Sequence, residues 1–196
     1  MVRKVTNTEI IGLFLTDYSK RYYLREMAIL LKKPHQTIKP HVESLVREQV
    51  LLKNERKNIT EYSLNFNNKR IYDYLTIAEK DNFFKRINED TLIRILSEKL
   101  TVFFRSNIFI IFGSAVNKIH PDSDIDLLVV GKKDMAKYID DFEKIYNKRI
   151  HKIQINKLND LTLTLVKEIY KKHLILNNTE EVIRFFGDLY EKNKLV

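Results

Sequence analysis

The sequence predicts an α+β chain in two units: a small helical unit closed by two short strands, then a unit built on a buried strand and its neighbours. Three observations predict it. Apolar residues recur at helical spacing from Ile10 to Val46, two strand-like runs at 50–53 and 60–64 flank a polar turn, and residues 108–112 are continuously apolar until Gly113. The expected divisions are residues 1–66, connecting helices over 67–104, and a second unit over 105–196.

Composition sets the bounds. A chain of 196 residues suffices for one ordinary domain or two small ones, and 44% hydrophobic with 11% aromatic content supports real cores. Only 4 Gly and 3 Pro argue against long disordered linkers. The absence of cysteine excludes disulfides and cysteine-ligated zinc and fits a reducing compartment, so a cytoplasmic location is expected. The longest early apolar run, residues 10–15, is too short for a membrane span. Net charge is +9, densest at the start: residues 1–66 hold 12 Lys or Arg against 7 acids. A polyanionic partner is expected there.

Taken in order, Ile10, Ile11, Phe14 and Leu15 give a first helix capped by Thr6 or Asn7. A second follows Tyr22-Tyr23, with Leu24, Met27, Ala28 and Leu31 as its stripe. Ile38, Val42, Leu45 and Val46 give a third; Pro40 means that its first turn is irregular or that it starts near Lys39. Two strands come next. Residues 67–86 and 88–104 read as helices, the latter with Leu92, Ile95, Leu96, Leu100 and Phe103 on one face. Ile71, Leu75 and Ala78 offer a face that bridges the units or pairs with a second copy. Near the end, Asp160 or Asn159 caps a helix bearing Leu161, Leu165, Val166 and Ile169, and Thr179 opens a last one.

The chemistry concentrates in IFIIFGSAVNKIHPDSDIDLLVV. Side chains alternate along a strand, so Asp124 and Asp126 share a face while Ile125 and Leu127 pack on the other. Two converging carboxylates call for a cation, and hard oxygen donors suit Mg²⁺ or Mn²⁺. Gly113 permits close backbone approach, and Ser114 adds a hydroxyl for phosphate oxygens.

This arrangement resembles the nucleotidyltransferase superfamily that includes DNA polymerase beta, and within it the minimal nucleotidyltransferases of prokaryotes. The resemblance implies a small mixed sheet with helices, a nucleoside triphosphate held at Gly113 and Ser114, and two metals on Asp124 and Asp126. It implies transfer of a nucleoside monophosphate to a hydroxyl acceptor, in a toxin-antitoxin setting with a protein target or partner toxin. That family has a third acid between apolar residues on a later strand; here Ile153-Gln154-Ile155 carries the pattern, so Gln154 replaces it. Asp140, Asp141, Glu143 and Asp160 are the alternative acids. Lys118 stands where phosphate-side charge is expected. Nucleotidyl transfer and nucleotide sensing without transfer both remain open, as does a protein-binding first unit on an inert second one.

LREMAILLKKPHQTIKPHVESLVREQVLLKNERKNITEYSLN in turn resembles prokaryotic winged helix-turn-helix regulators, over roughly residues 1–66. The resemblance implies double-stranded DNA as partner, with the third helix in the major groove and a basic wing along the backbone. Gln36, Thr37, Lys39 and His41 would then reach base edges, and Lys32, Lys33, Arg56 and Lys57 phosphates. A homodimer is the expected assembly.

Overall fold

The computed structural model describes residues 6–56, 59–120 and 123–195. Its described residues form an α+β architecture of eight α-helices and two small sheets. None of the described helices is long and apolar enough to cross a membrane.

The first unit holds α1 (Asn7–Gly12), β1 (Tyr22–Tyr23), α2 (Leu24–Leu31), α3 (His35–Arg47), β2 (Leu51–Arg56) and β3 (Ile59–Leu64). Thr6 caps α1 reciprocally with Glu9, as its hydroxyl accepts from the Glu9 amide and the Glu9 carboxylate accepts from the Thr6 amide. The two-residue strand β1 was not legible beforehand; it pairs with β3 and gives an antiparallel sheet ordered β1-β3-β2. Helix α3 starts at His35, five residues before Pro40, so the proline lies inside it. Pro40 is tolerated because it sits on the exposed side, opposite buried Ile38, Val42 and Leu45, where water can serve the Gln36 carbonyl that loses its donor.

Two helices connect the units, α4 (Ile71–Glu89) and α5 (Thr91–Leu100). The expected start near residue 67 is delayed because Asn65 and Asn68 turn their side-chain amides onto the Gln49 carbonyl, holding the chain in a turn. Asp90 divides the pair, its carboxylate accepting from the amides of Leu92 and Ile93. The second unit follows with β4 (Ile108–Phe112), β5 (Ile125–Val130), α6 (Ala136–Tyr146), β6 (Ile150–Ile155), α7 (Leu163–Lys171), β7 (His173–Ile175) and α8 (Thr179–Glu191). Thr162, rather than Asn159 or Asp160, caps α7, since residues 158–160 are spent in a 3₁₀ turn. The sheet runs β6-β5-β4-β7, with β5 and β6 parallel and the other pairs antiparallel.

Alternation along β4 sorts the cores. Phe109 and Ile111 join Leu127 and Val129 against α5 and α6, whereas Ile108, Ile110 and Phe112 join the cluster that contains Ile10, Phe14, Ile38 and Leu75. Helix α4 touches both clusters, through Leu75 and Ala78 on one and Phe83 and Ile87 on the other. Ile71, Leu75 and Ala78 therefore bridge the units within one chain.

At that bridge lies a buried ion pair. His173 Nε2 is 2.7 Å from Glu79 Oε1, and its Nδ1 is 3.0 Å from the carbonyls of both Ile169 and Tyr170. Carbonyl and carboxylate oxygens only accept, so both ring nitrogens carry protons. Burial alone pulls the imidazole pKa down, but Glu79 and the two carbonyls outweigh it and hold the pKa above the ordinary value. A histidine raised on folding contributes stability that is present below its unfolded pKa, about 6.5, and lost as pH climbs through the folded one. The thermal midpoint should therefore fall as pH rises above about 6.5. Glu79→Gln should remove that fall, and equal slopes in the two proteins would refute the assignment.

Candidate active site

Strand β4 ends at Phe112, and Gly113–Val116 turn at once into a single 3₁₀ turn. Gly113 adopts φ +70, and a Cβ there would stand 2.6 Å from Asp126 Oδ2. Only glycine meets both conditions, a left-handed backbone and a carboxylate pressed against it. The Gly113 amide donates to the Lys172 carbonyl at 3.3 Å, tying the turn to the residue before β7. Its other end is held from α4: buried Arg86 donates from Nε to the Val116 carbonyl at 2.7 Å and from Nη2 to that of Ala115 at 3.4 Å. The same Nη2 pairs with Asp90 at 2.9 Å. Ser114 is thereby presented, itself exposed, on a braced turn whose Ala115 and Val116 are buried.

Asp126 lies opposite Phe112, and Asp124 precedes β5 by one residue. Their side chains are 29% and 45% exposed, so both reach solvent on one face. The loop leading to them is fixed by buried Lys148, whose ammonium donates to the His120 carbonyl. Lys118 is exposed on this loop; residues 121 and 122 of the motif lie outside the described residues.

The register of β6 corrects the reading of Gln154. Gln154 pairs with Val129, three residues along β6 from the partner of Asp126, which places it about 10 Å away and on the opposite face. Its amide donates instead to the Gly131 carbonyl at 3.0 Å. His151 is the residue beside Asp126, with Nδ1 3.1 Å from Oδ1, and Arg149 Nε is 4.0 Å from Asp124 Oδ2. The flanking isoleucines give Gln154 the family's pattern in sequence alone. The better signal was spacing: Arg149 and His151 are two apart, as Asp124 and Asp126 are, and a parallel neighbour pairs both at once. Of the alternative acids, Glu143 accepts from the Ile150 amide, Asp160 closes its own 3₁₀ turn on the Lys157 amide, and Asp140 and Asp141 are exposed on α6. Arg149 is 79% exposed, so its ion pair is screened and readily displaced.

The donor set fits a hard divalent cation. Among the described residues no three His, Asp or Glu side chains cluster to hold a metal by themselves. A cation on Asp124 and Asp126 would complete its shell with water and phosphate oxygens, as Mg²⁺ does.

The residues read as nucleic-acid contacts occupy the first unit. Gln36, Thr37 and Lys39 are exposed on the early turns of α3, Lys32 is exposed in the left-handed cap of α2, and Lys33 follows it, partly buried. Lys39 lies 3.7 Å from Glu43. His41 differs, being partly buried with Nδ1 2.9 Å from Asn7 Oδ1, so it joins α3 to α1. Arg56 ends β2, and Lys57 lies outside the described residues.

Gly113 offers a direct test of the turn. Gly113→Ala must hold a left-handed backbone, at about 1–2 kcal/mol, and move Asp126 as well. Denaturant titration should show a loss of at least that size. A variant as stable as the parent would mean that the turn is not under this constraint.

Among curated proteins none matches the chain. The crystal structure of Pseudomonas aeruginosa HmgR is similar at 14% identity over 66% of this chain and 48% of that one, so the chain spans about half its length. With a TM-score of 0.28 that likeness is too slight to carry the fold. A family model does match in sequence, and it takes in the turn, both aspartates and all four strands of the second sheet. Residues 90–181 match the family described as Polymerase beta, Nucleotidyltransferase, a span that opens at the cap of α5 and closes inside α8.

Proposed function

We propose that this chain is a DNA-binding regulator whose second unit binds a nucleoside triphosphate with Mg²⁺ or Mn²⁺. The observation that carries the nucleotide reading is the Gly113 turn pressed against Asp126, inside the span that matches a nucleotidyltransferase family. Ser114 and the side-chain-free Gly113 would receive phosphate oxygens. Asp124 and Asp126 would hold the cation, which supplies charge neutralisation for the phosphates. Arg149 beside Asp124, and exposed Lys118 four residues after Ser114, would serve as cations for the phosphate tail. Support for DNA comes from the helix and sheet order of the first unit, its positive charge, and the exposed Gln36, Thr37 and Lys39 on α3.

Transfer is the reaction that the family match supports in general terms. A hydroxyl oxygen would attack the α-phosphorus, the bond to the bridging oxygen would break, and pyrophosphate would leave. The specific observation favouring a second reading, nucleotide sensing without transfer, is that the strand beside the aspartates offers Arg149 and His151 where an acid would stand. Two outcomes separate the readings. Labelled transfer with pyrophosphate release marks an enzyme; binding alone, with transfer gained in His151→Asp and not in Gln154→Asp, marks a sensor.

Two further measurements test the binding claims. With Mg²⁺, a nucleoside triphosphate at a hundred times its Kd should stabilise the protein by about 2.7 kcal/mol, and the double variant Asp124→Ala with Asp126→Ala should lose that gain. An unchanged titration in the double variant would remove the site. Duplex DNA should bind with affinity that falls by about 0.9 log unit per tenfold rise in salt for each phosphate contact. Arg56→Ala with Lys57→Ala should lower that slope on every sequence, whereas Gln36→Ala should weaken preferred sequences most. Residues 67–196 binding DNA as well as the whole chain would place the interface elsewhere.

A further inference from the structure

A cleft of about 710 Å³ opens between α1 and α4 on one side and the far end of the Gly113–Val116 turn with Lys172 and His173 on the other. Its size is that of a small-molecule site, and it lies where the two units meet, a common place for one. Neither aspartate lines it.

The glycines give it meaning. Gly113 and Gly131 hold backbone angles of φ +70 and +142, and a Cβ at Gly187 would stand 2.2 Å from the Tyr72 ring. Each of those three is required by the fold. Gly12 is different: it ends α1, its φ is ordinary, and a Cβ there would meet nothing within 4 Å. Glycine in a helix costs stability relative to alanine, so the fold gives no reason for it. It lines the cleft, and what its missing side chain preserves is open space.

Lys85 is spent on Glu9 and Asp81 within the lining, and the polar and apolar groups nearer the turn suit one occupant. Val116 and Asn117 continue the turn that presents Ser114, and three residues of 3₁₀ rise separate Ser114 from Asn117 by roughly 6 Å, less than the length of a nucleoside. Asn82 and Asn117 are exposed on facing walls, and each amide carries both a donor and an acceptor, as the edge of a base requires. Leu13 and Val116 add apolar surface. Lys172, partly buried, lines the cleft and takes the Gly113 amide with its carbonyl, which puts a cationic residue at the junction of cleft and turn.

We propose that this cleft receives the nucleoside end of a nucleotide whose phosphates lie at Gly113 and Ser114, an assignment that rests on the nucleotide reading above. The N-terminal unit then completes the nucleotide site, and occupancy reaches α1 directly.

The full chain should be titrated with Mg²⁺ and, in separate arms, each of the four ribonucleoside triphosphates and inorganic tripolyphosphate. The wild type should bind at least one nucleotide ten or more times more tightly than tripolyphosphate. Gly12→Met, which fills the cleft without a clash at Cβ, should erase that preference while tripolyphosphate binding and the thermal midpoint hold. Asn117→Ala, outside α1, should reduce the preference as well. Nucleotides and tripolyphosphate binding alike, or a preference untouched by both variants, would overturn the cleft assignment alone. Binding of neither would overturn the nucleotide reading and this one with it.

Discussion

One buried guanidinium organises the centre of this molecule. Arg86 projects from α4, accepts no bond, and spends its donors on two carbonyls of the turn after β4 and on Asp90. Because Asp90 also caps α5, the same cation fixes the corner between two helices and the far end of the turn. Removing an arginine so placed would leave two buried carbonyls and a partly buried carboxylate without their donor, a heavier penalty than the loss of any one bond. The exposed Ser114 depends on that bracing. A hydroxyl that must meet a phosphate works best on a backbone that does not have to be ordered when the ligand arrives.

The bracing also joins the two halves. Helix α4 carries Arg86 to the turn, Glu79 to His173 beside it, and Leu75 and Ala78 into the cluster shared with α1 and α3. Tyr170 in α7 adds a hydroxyl that accepts from the Tyr18 amide, a contact between residues 152 positions apart. Apolar burial and buried polar contacts thus run from the first unit to the strand ends that carry the aspartates. A change in how α1 packs has a continuous physical route to the turn.

Much of this was legible in the sequence. The helices announce themselves because α1, α2 and α3 bury one face each, and the five-residue β4 does so because it is buried on both. Positions of Gly113, Ser114, Asp124 and Asp126 on one sheet end follow from a strand, a tight turn and alternation. What escaped has a common cause. Strands β1 and β7 are two and three residues long, and so short a run has no periodicity to read; each exists through its partner. Arg86, Glu79 and His173 sit in patterns that look like solvated helix faces, and only the packing shows them buried. The error at Gln154 was one of register, the property that a parallel pair joined through a helix leaves least specified in the local sequence.

Strand β6 has one more consequence. It ends the sheet, and an edge strand offers an unpaired row of amides and carbonyls to any passing chain. Arg149, His151 and Lys152 crowd the first half of that row with cationic or ionisable side chains. Charge is one means by which natural sheets discourage edge-to-edge growth. The residues that face the aspartates therefore also set charge along the open edge of the sheet. Neutral, β-branched residues in their place would leave that edge open to pairing with another chain.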